Sequence, residues 1–377
     1  MNRLFNFLLT IFFIFCLSEC NSSNKNEIRF RKQDKHIHFY NSYNKILYSL
    51  DKGTVSIIDR VKNDTIARNG IAILNNNIKT SNLKINDFYF EEFQDSLGTG
   101  KKIVIVFDHN SLLIYHSIGL YENFEHIVFW VDLLNNSPRD FRIHNLSAFH
   151  ADVVLSDDEN IQHYFLDGNS GKIPTKVRDS DSLNCRNNLL ITEKNDSFLS
   201  SFVAGGYTYK EFDRFTKAEK LKSSYKVNVF NEDPVGKLLL SNQSYSCEDK
   251  IYINFHQANP LLALERYSEI FKLANSLKLQ IYDFPTVCLW YNDFYGDTSM
   301  GNNSRGAVLE MEQAKNSGFL DYSRVAIRLV PDMYALNNQQ GWWDDEHWQL
   351  KNTFNHRGRS HESGHYTPPI FNNIFLG

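Results

Sequence analysis

The chain has 377 residues, 42% hydrophobic and 22% charged, with a net charge of −4 and no block of one sign. That length gives room for two domains. The charge balance excludes a nucleic-acid partner, which needs a concentrated basic surface. Aromatics make up 14%, with 29 Phe and 19 Tyr, a composition suited to strands and also to sugar binding, with core packing accounting for most of them.

Residues 1–20 read as an export signal. Arg3 supplies a short positive segment, and Leu4 to Leu17 is nearly all apolar. The stretch is too short and too near the terminus to be read as a membrane span. Leu17-Ser18-Glu19-Cys20 is similar to a bacterial lipobox, with Cys20 as the lipidated first residue of the mature chain. Glu19 departs from the small residue such boxes prefer, so plain secretion with cleavage near Cys20, or an uncleaved anchor, stays open. Each places the protein outside the cytoplasm, in the periplasm or as an outer-membrane lipoprotein of a bacterium. Beyond the signal stand Cys185, Cys247 and Cys288, which cannot all pair within the chain. A Cys185–Cys247 disulfide is compatible with the count, but no spacing argues for it.

From 27 to 258 short apolar runs alternate with Asn, Asp, Gly and Ser, the pattern of antiparallel strands. Strands are expected at Lys101–Phe107, Leu112–Leu120, His126–Leu134, Arg142–Leu146, Tyr225–Phe230 and Lys250–His256. Turns are expected at Asp108-His109-Asn110 and Asn135-Asn136-Ser137-Pro138. A region this long with no strong helix predicts one large antiparallel β-sandwich. His144, His150, His163 and His256 fall in or beside these strands and read as core or surface histidines rather than ligands.

At Asn259 the pattern changes. Asn259 suits an N-cap and Pro260 the first helical position. Leu264, Tyr267, Ile270, Phe271, Ala274 and Leu277 then form one apolar stripe, predicting a linker helix over 259–280 of nearly five turns. A buried-strand run, Thr286–Trp290, is followed by a Gly-rich loop, a helix at Ala307–Ser317 closed by Gly318, and a second apolar run, Val325–Val330. Strand, helix, strand is a βαβ unit with parallel, doubly covered strands. It predicts the incomplete start of a (β/α)8 TIM barrel over 283–377, making the chain multidomain, β plus α/β.

Two clusters follow these strands. One is Trp290-Tyr291-Asn292-Asp293-Phe294-Tyr295; the other is Asp332, then Gly341-Trp342-Trp343-Asp344-Asp345. Residues leaving the C-terminal ends of barrel strands build active sites in that fold. Indole faces take the C–H surface of a sugar and carboxylates take its hydroxyls. The alternative is a surface loop anchored by its tryptophans. His361-Glu362-Ser363-Gly364-His365 matches a zinc-protease pattern. Its context fails, since Gly358, Gly364 and Pro368-Pro369 oppose a helix and no apolar stripe would bury one. No metal and no cofactor are expected.

Pro285 through Tyr295 resembles the first barrel strand and loop of glycoside hydrolase family 36, the α-galactosidases and raffinose synthases. Val325–Asp332 with Gly341–Asp345 resembles their second strand, where an Asp-rich segment with Trp holds the sugar. The resemblance covers about residues 283–370; the sandwich and linker helix agree with the family in order alone. It implies retaining hydrolysis of α-glycosidic bonds, with Trp290, Asp293, Asp332, Trp342, Trp343, Asp344 and Asp345 contacting an oligosaccharide or glycoside. Met333 to Gln340 separate Asp332 from the Trp-Trp-Asp-Asp stretch, so Asp332 and the Asp344/Asp345 pair both stay open as the match. The family's nucleophile follows its fourth strand and its acid/base its sixth, whereas Gly377 comes two strands in. The expectation is therefore a truncated form with no catalytic residue of its own. The rival expectation is a non-catalytic exported sugar-binding or structural lipoprotein.

Overall fold

The computed structural model describes residues 27–155, 161–167, 175–178, 181–222, 224–277, 285–288 and 304–328. The chain divides into two compact units, Met1–Lys278 and Leu279–Gly377.

The first unit opens with β1 (Arg29–Gln33), β2 (His36–Tyr40), β3 (Asn44–Ser49), β4 (Thr54–Asp59), β5 (Asp64–Leu74) and β6 (Ile78–Lys79). It continues with β7 (Ile85–Asp95), β8 (Gly98–His109), β9 (Leu112–Tyr121), β10 (Ile127–Asn135), β11 (Phe141–Val153), β12 (Gln162–Asp167) and β13 (Thr175–Lys176). Then come β14 (Ser182–Arg186), β15 (Asn188–Lys194), β16 (Phe198–Gly206), β17 (Asp213–Lys220), β18 (Tyr225–Leu239), β19 (Ser244–Tyr245) and β20 (Ile251–Asn254). Among the described residues these strands form two antiparallel sheets. One runs β1-β2-β3-β4-β5-β11-β18-β17-β14, with β6 beside β5; the other runs β13-β12-β15-β16-β20-β10-β9-β8-β7, with β19 beside β10.

The alternation seen in the sequence is what packs the sheets. Ile127, Phe129, Val131 and Leu133 of β10 point into the core shared with Ile37, Phe39, Ile143 and Phe149, all buried. The rings of Phe129 and Phe149 lie 5.2 Å apart. The turn expected at Asp108-His109-Asn110 is a two-residue turn at Asn110-Ser111, with φ of 54° and 68°. His109 pairs with Leu112, so Asp108 and His109 stay in the ladder. Two consecutive left-handed residues make the tight hairpin that matches strand twist. At Asn135, the side-chain amide donates to the carbonyls of Arg139, Leu239 and Leu240, at 2.8, 3.2 and 3.2 Å, and anchors the next turn. Cys185 and Cys247 are buried and not in a disulfide.

Helix α1 (Pro260–Ala274) starts as its sequence predicts: the Asn259 side chain accepts from the N–H groups of Leu261 and Leu262, and Pro260 opens the first turn. It packs on the outer face of the second sheet, where Val128, Trp130, Val203 and Tyr252 alternate with the core-facing residues. The helix is shorter than expected, 15 residues or about four turns. Asn275 ends it: its side chain donates to the carbonyls of Phe271 (2.8 Å) and Tyr207 (3.0 Å) and accepts from the Tyr209 N–H (3.0 Å). Leu277 therefore lies past the helix and is 42% exposed.

In the second unit, β21 (Thr286–Cys288) and β22 (Ala326–Arg328) pair in parallel, joined through helix α2 (Ser304–Asn316). Gly318, at φ +75°, lets the chain turn beyond the helix, where the residue accepts no Cβ without strain.

Candidate functional site

The site read from sequence depends on where two strands end. In the parallel pair, Thr286, Val287 and Cys288 stand opposite Ala326, Ile327 and Arg328. The two described segments are parallel and in register, so they run in the same direction. Trp290 and Asp293 are two and five positions beyond Cys288, and Asp332 is four beyond Arg328. Trp290, Asp293, Asp332, Trp342, Trp343, Asp344 and Asp345 themselves lie outside the described residues, as do Cys20, His361, Glu362 and His365.

The sandwich carries polar constellations that the sequence did not single out. On the outer face of the second sheet, the buried Trp130 donates its indole N–H to Asp132 Oδ2 at 3.1 Å, and Asp132 Oδ1 accepts from the Cys247 N–H at 2.8 Å. The Lys250 ammonium sits 4.6 Å from the Trp130 ring centre and 5.7 Å from that of Phe93. Lys102 also lies over Trp130, at 5.2 Å, while bound to Glu91 at 2.5 Å. Burial pushes the Asp132 carboxyl up and the Lys250 amine down. Next to them Asp95 accepts from the phenols of Tyr121 and Tyr207, the latter at 2.7 Å. These are stacked cations and satisfied carboxylates. No sequence signal marks them, because Phe93, Trp130 and Lys250 meet only through the strand order β7-β8-β9-β10-β20.

A second feature is an open cleft of about 270 Å³ between the loop before β17 and the middle of β18, lined by Tyr209, Glu211, Asp213, Glu232 and Asp233 among others. Its loop is held from beneath. Buried Asp249 accepts the N–H groups of Lys210, Glu211 and Phe212, and Arg214 places Nη2 3.8 Å from Asp249 while donating to Asn231 (2.9 Å) and the Thr208 carbonyl (2.8 Å). Within the cleft Glu211 is bound to Lys237 at 2.6 Å, and Tyr209 donates to Asp213 at 3.3 Å. The carboxylates face solvent as hydrogen-bond acceptors.

His163 and His256 take structural roles, as expected. His163 Nδ1 lies 2.7 Å from the Tyr225 hydroxyl, and His256 Nε2 lies 3.0 Å from Asn44 Oδ1. Among the described residues no group of three or more His, Cys, Asp or Glu is placed to hold a metal ion.

No family model matches the chain, and no curated protein matches it. Among solved structures it is similar to the α-galactosidase from Lactobacillus brevis, with 11% identity and a TM-score of 0.45, over 75% of this chain and 47% of that one. It is likewise similar to the GH36 α-galactosidase AgaB from Geobacillus stearothermophilus, with 11% identity and a TM-score of 0.48, over 80% of this chain and 50% of that one. The galactosidase domain of the α-galactosidase-sucrose kinase AgaSK gives 10% identity and a TM-score of 0.48, over 70% and 47%. The chain spans about half the length of the solved structures it matches.

Proposed function

We propose that this is an exported carbohydrate-active protein of the α-galactosidase type, with its sugar site at the common edge where β21 and β22 end. The observation that supports it is the parallel, in-register pair Cys288–Arg328, because each strand is followed in sequence by one of the two Trp/Asp clusters. In this reading β21, α2 and β22 open a (β/α)8 barrel. Trp290 and Trp342 or Trp343 wall the pocket, and Asp332 or the pair Asp344/Asp345 takes the hydroxyls of the terminal sugar, with Asp293 beside them.

Retaining hydrolysis needs a nucleophile and a proton donor roughly 5–5.5 Å apart across the anomeric carbon. The resemblance assigns residues 1–377 sugar contacts and neither of those two carboxylates. In this reading the residues named here serve binding and not bond cleavage. Turnover of an aryl α-galactoside tests this, beside Asp332→Asn and Asp344→Asn. Clear turnover by the wild type that either variant abolishes would place the catalytic pair among these residues and overturn the assignment. We further propose that Cys20 is lipidated and holds the protein at a membrane.

A further inference from the structure

We propose that the outward face of strands β1, β2 and β3 docks on an anionic phospholipid surface. The register aligns three rows across these strands: Arg29, Tyr40 and Lys45; Arg31, His38 and Leu47; Gln33, His36 and Ser49. The alternate residues Ile37, Phe39, Ile46 and Tyr48 are buried in the core, so the rows, apart from the buried Ser49, point away from it. All five residues of β1 are exposed, and β1 is the edge of its sheet. Arg60 extends the patch by lying over the Tyr40 ring, 4.8 Å from its centre.

The face has little negative charge to oppose this. Strands β1 to β4 contain one carboxylate, Asp59, which is buried and accepts the N–H groups of Val61 and Lys62. At the rim, Glu27 is paired with Arg29 at 3.2 Å, Asp51 is bonded to Ser49, and Asp34 sits in the β1–β2 turn between Lys32 and Lys35. His38 reports the field: its imidazole is held below its ordinary value by partial burial and by Lys45, His36 and Arg31. Phe30 pairs with the buried Phe39 and stacks on Phe90 at 3.8 Å, so it anchors β1 from the opposite face and leaves the outward rows to the cations.

A cationic sheet face meets a plane of phosphates better than a groove would, and position selects the occupant. Arg29 lies nine residues after Cys20, a span of at most about 30 Å even fully extended. This part rests on the reading of Cys20 as lipidated. A basic patch beside an acyl anchor is a recognised second membrane signal.

The experiment uses the mature exported protein bound to vesicles of phosphatidylcholine alone or with phosphatidylglycerol. An amine-reactive reagent and mass spectrometry follow the labelling of Lys45, with Lys217 as the remote control. With phosphatidylglycerol, Lys45 labelling should fall severalfold at low salt and recover at 1 M salt, where the Debye length is about 3 Å. Arg29→Gln/Arg31→Gln should lose that protection. Equal labelling of Lys45 in both vesicle types overturns the proposal, and so does equal protection by a short DNA duplex, which would mark a general polyanion site. Flotation of the same samples at 1 M salt reads the anchor separately: release there sinks the lipidation of Cys20 and leaves the low-salt labelling result to stand or fall by itself.

Discussion

The phenol of Tyr267, on the helix that leads out of the sandwich, donates to the carbonyl of Gly206 at 2.9 Å. Gly206 is fixed from its other side too, since a Cβ there would lie 2.1 Å from Nη1 of the fully buried Arg214. One glycine thus couples the helix to the Arg214–Asp249 pair beneath the loop before β17. Tyr267→Phe should lower stability by about 1 kcal/mol, the net worth of an ordinary hydrogen bond. Gly206→Ala should cost about 3 kcal/mol or more, because the guanidinium has no room to retreat. Thermal midpoints of the two variants check the order; equal midpoints would contradict it.

The helix ends offer a second test. Asn259→Ala removes the acceptor for two N–H groups and should cost about 1 kcal/mol. Asn275→Ala removes the bonds to Phe271, Tyr207 and Tyr209 together. It should raise amide exchange both in the last helical turn and around Tyr209. Exchange rising in the helix alone would show that Asn275 is only a cap.

Two buried histidines contribute to the acid response. Burial holds His116 at about 4 and, with Arg266, His126 at about 3, against an ordinary value of 6.5. His126 stacks on Tyr207 and Tyr252 at 5.8 and 5.1 Å. The folded pKa is lowered, so both are neutral when folded and charge on unfolding below 6.5. The unfolded state then binds more protons, and stability falls as pH drops from 6.5 toward 4. Each histidine contributes up to about 1.4 kcal/mol per pH unit. Denaturation midpoints at pH 7 and pH 5 should differ less in His126→Phe than in the wild type.

Membrane attachment gives a fourth. Cys20→Ala should release the protein from membranes or block its processing, since acyl chains contribute about 0.8 kcal/mol per buried CH₂. Equal solubility of wild type and variant would remove the lipoprotein reading.

The sandwich was legible in the sequence because strand alternation is a local property. Ile127, Phe129 and Val131 declare their face without reference to any neighbour. Strand order was not legible: β11 joins β5 to β18 across long stretches of chain, and no local pattern encodes that choice. For the same reason the Trp130–Lys250 stack and the Tyr209–Glu232 cleft went unnoticed. Helix α1 is shorter than its apolar spacing implies, since Leu277 continues the spacing while the Asn275 side chain stops the helix through bonds to Tyr207 and Tyr209, far away in sequence. Of the proposed sugar site, the two strands that precede it were legible from two apolar runs. The roles of Trp290 and Asp332 came from resemblance.

The proposed sugar site, built from the segments that follow β21 and β22, is tested most directly by titrating galactose into the purified chain, read by heat or by indole fluorescence. The wild type should bind in the millimolar range, about −4 kcal/mol. Trp290→Ala should abolish that binding, as should Asp332→Asn or Asp344→Asn, while Trp130→Phe in the sandwich should leave it unchanged. Binding that survives Trp290→Ala and both Asp variants, or that disappears with Trp130→Phe, would contradict the account.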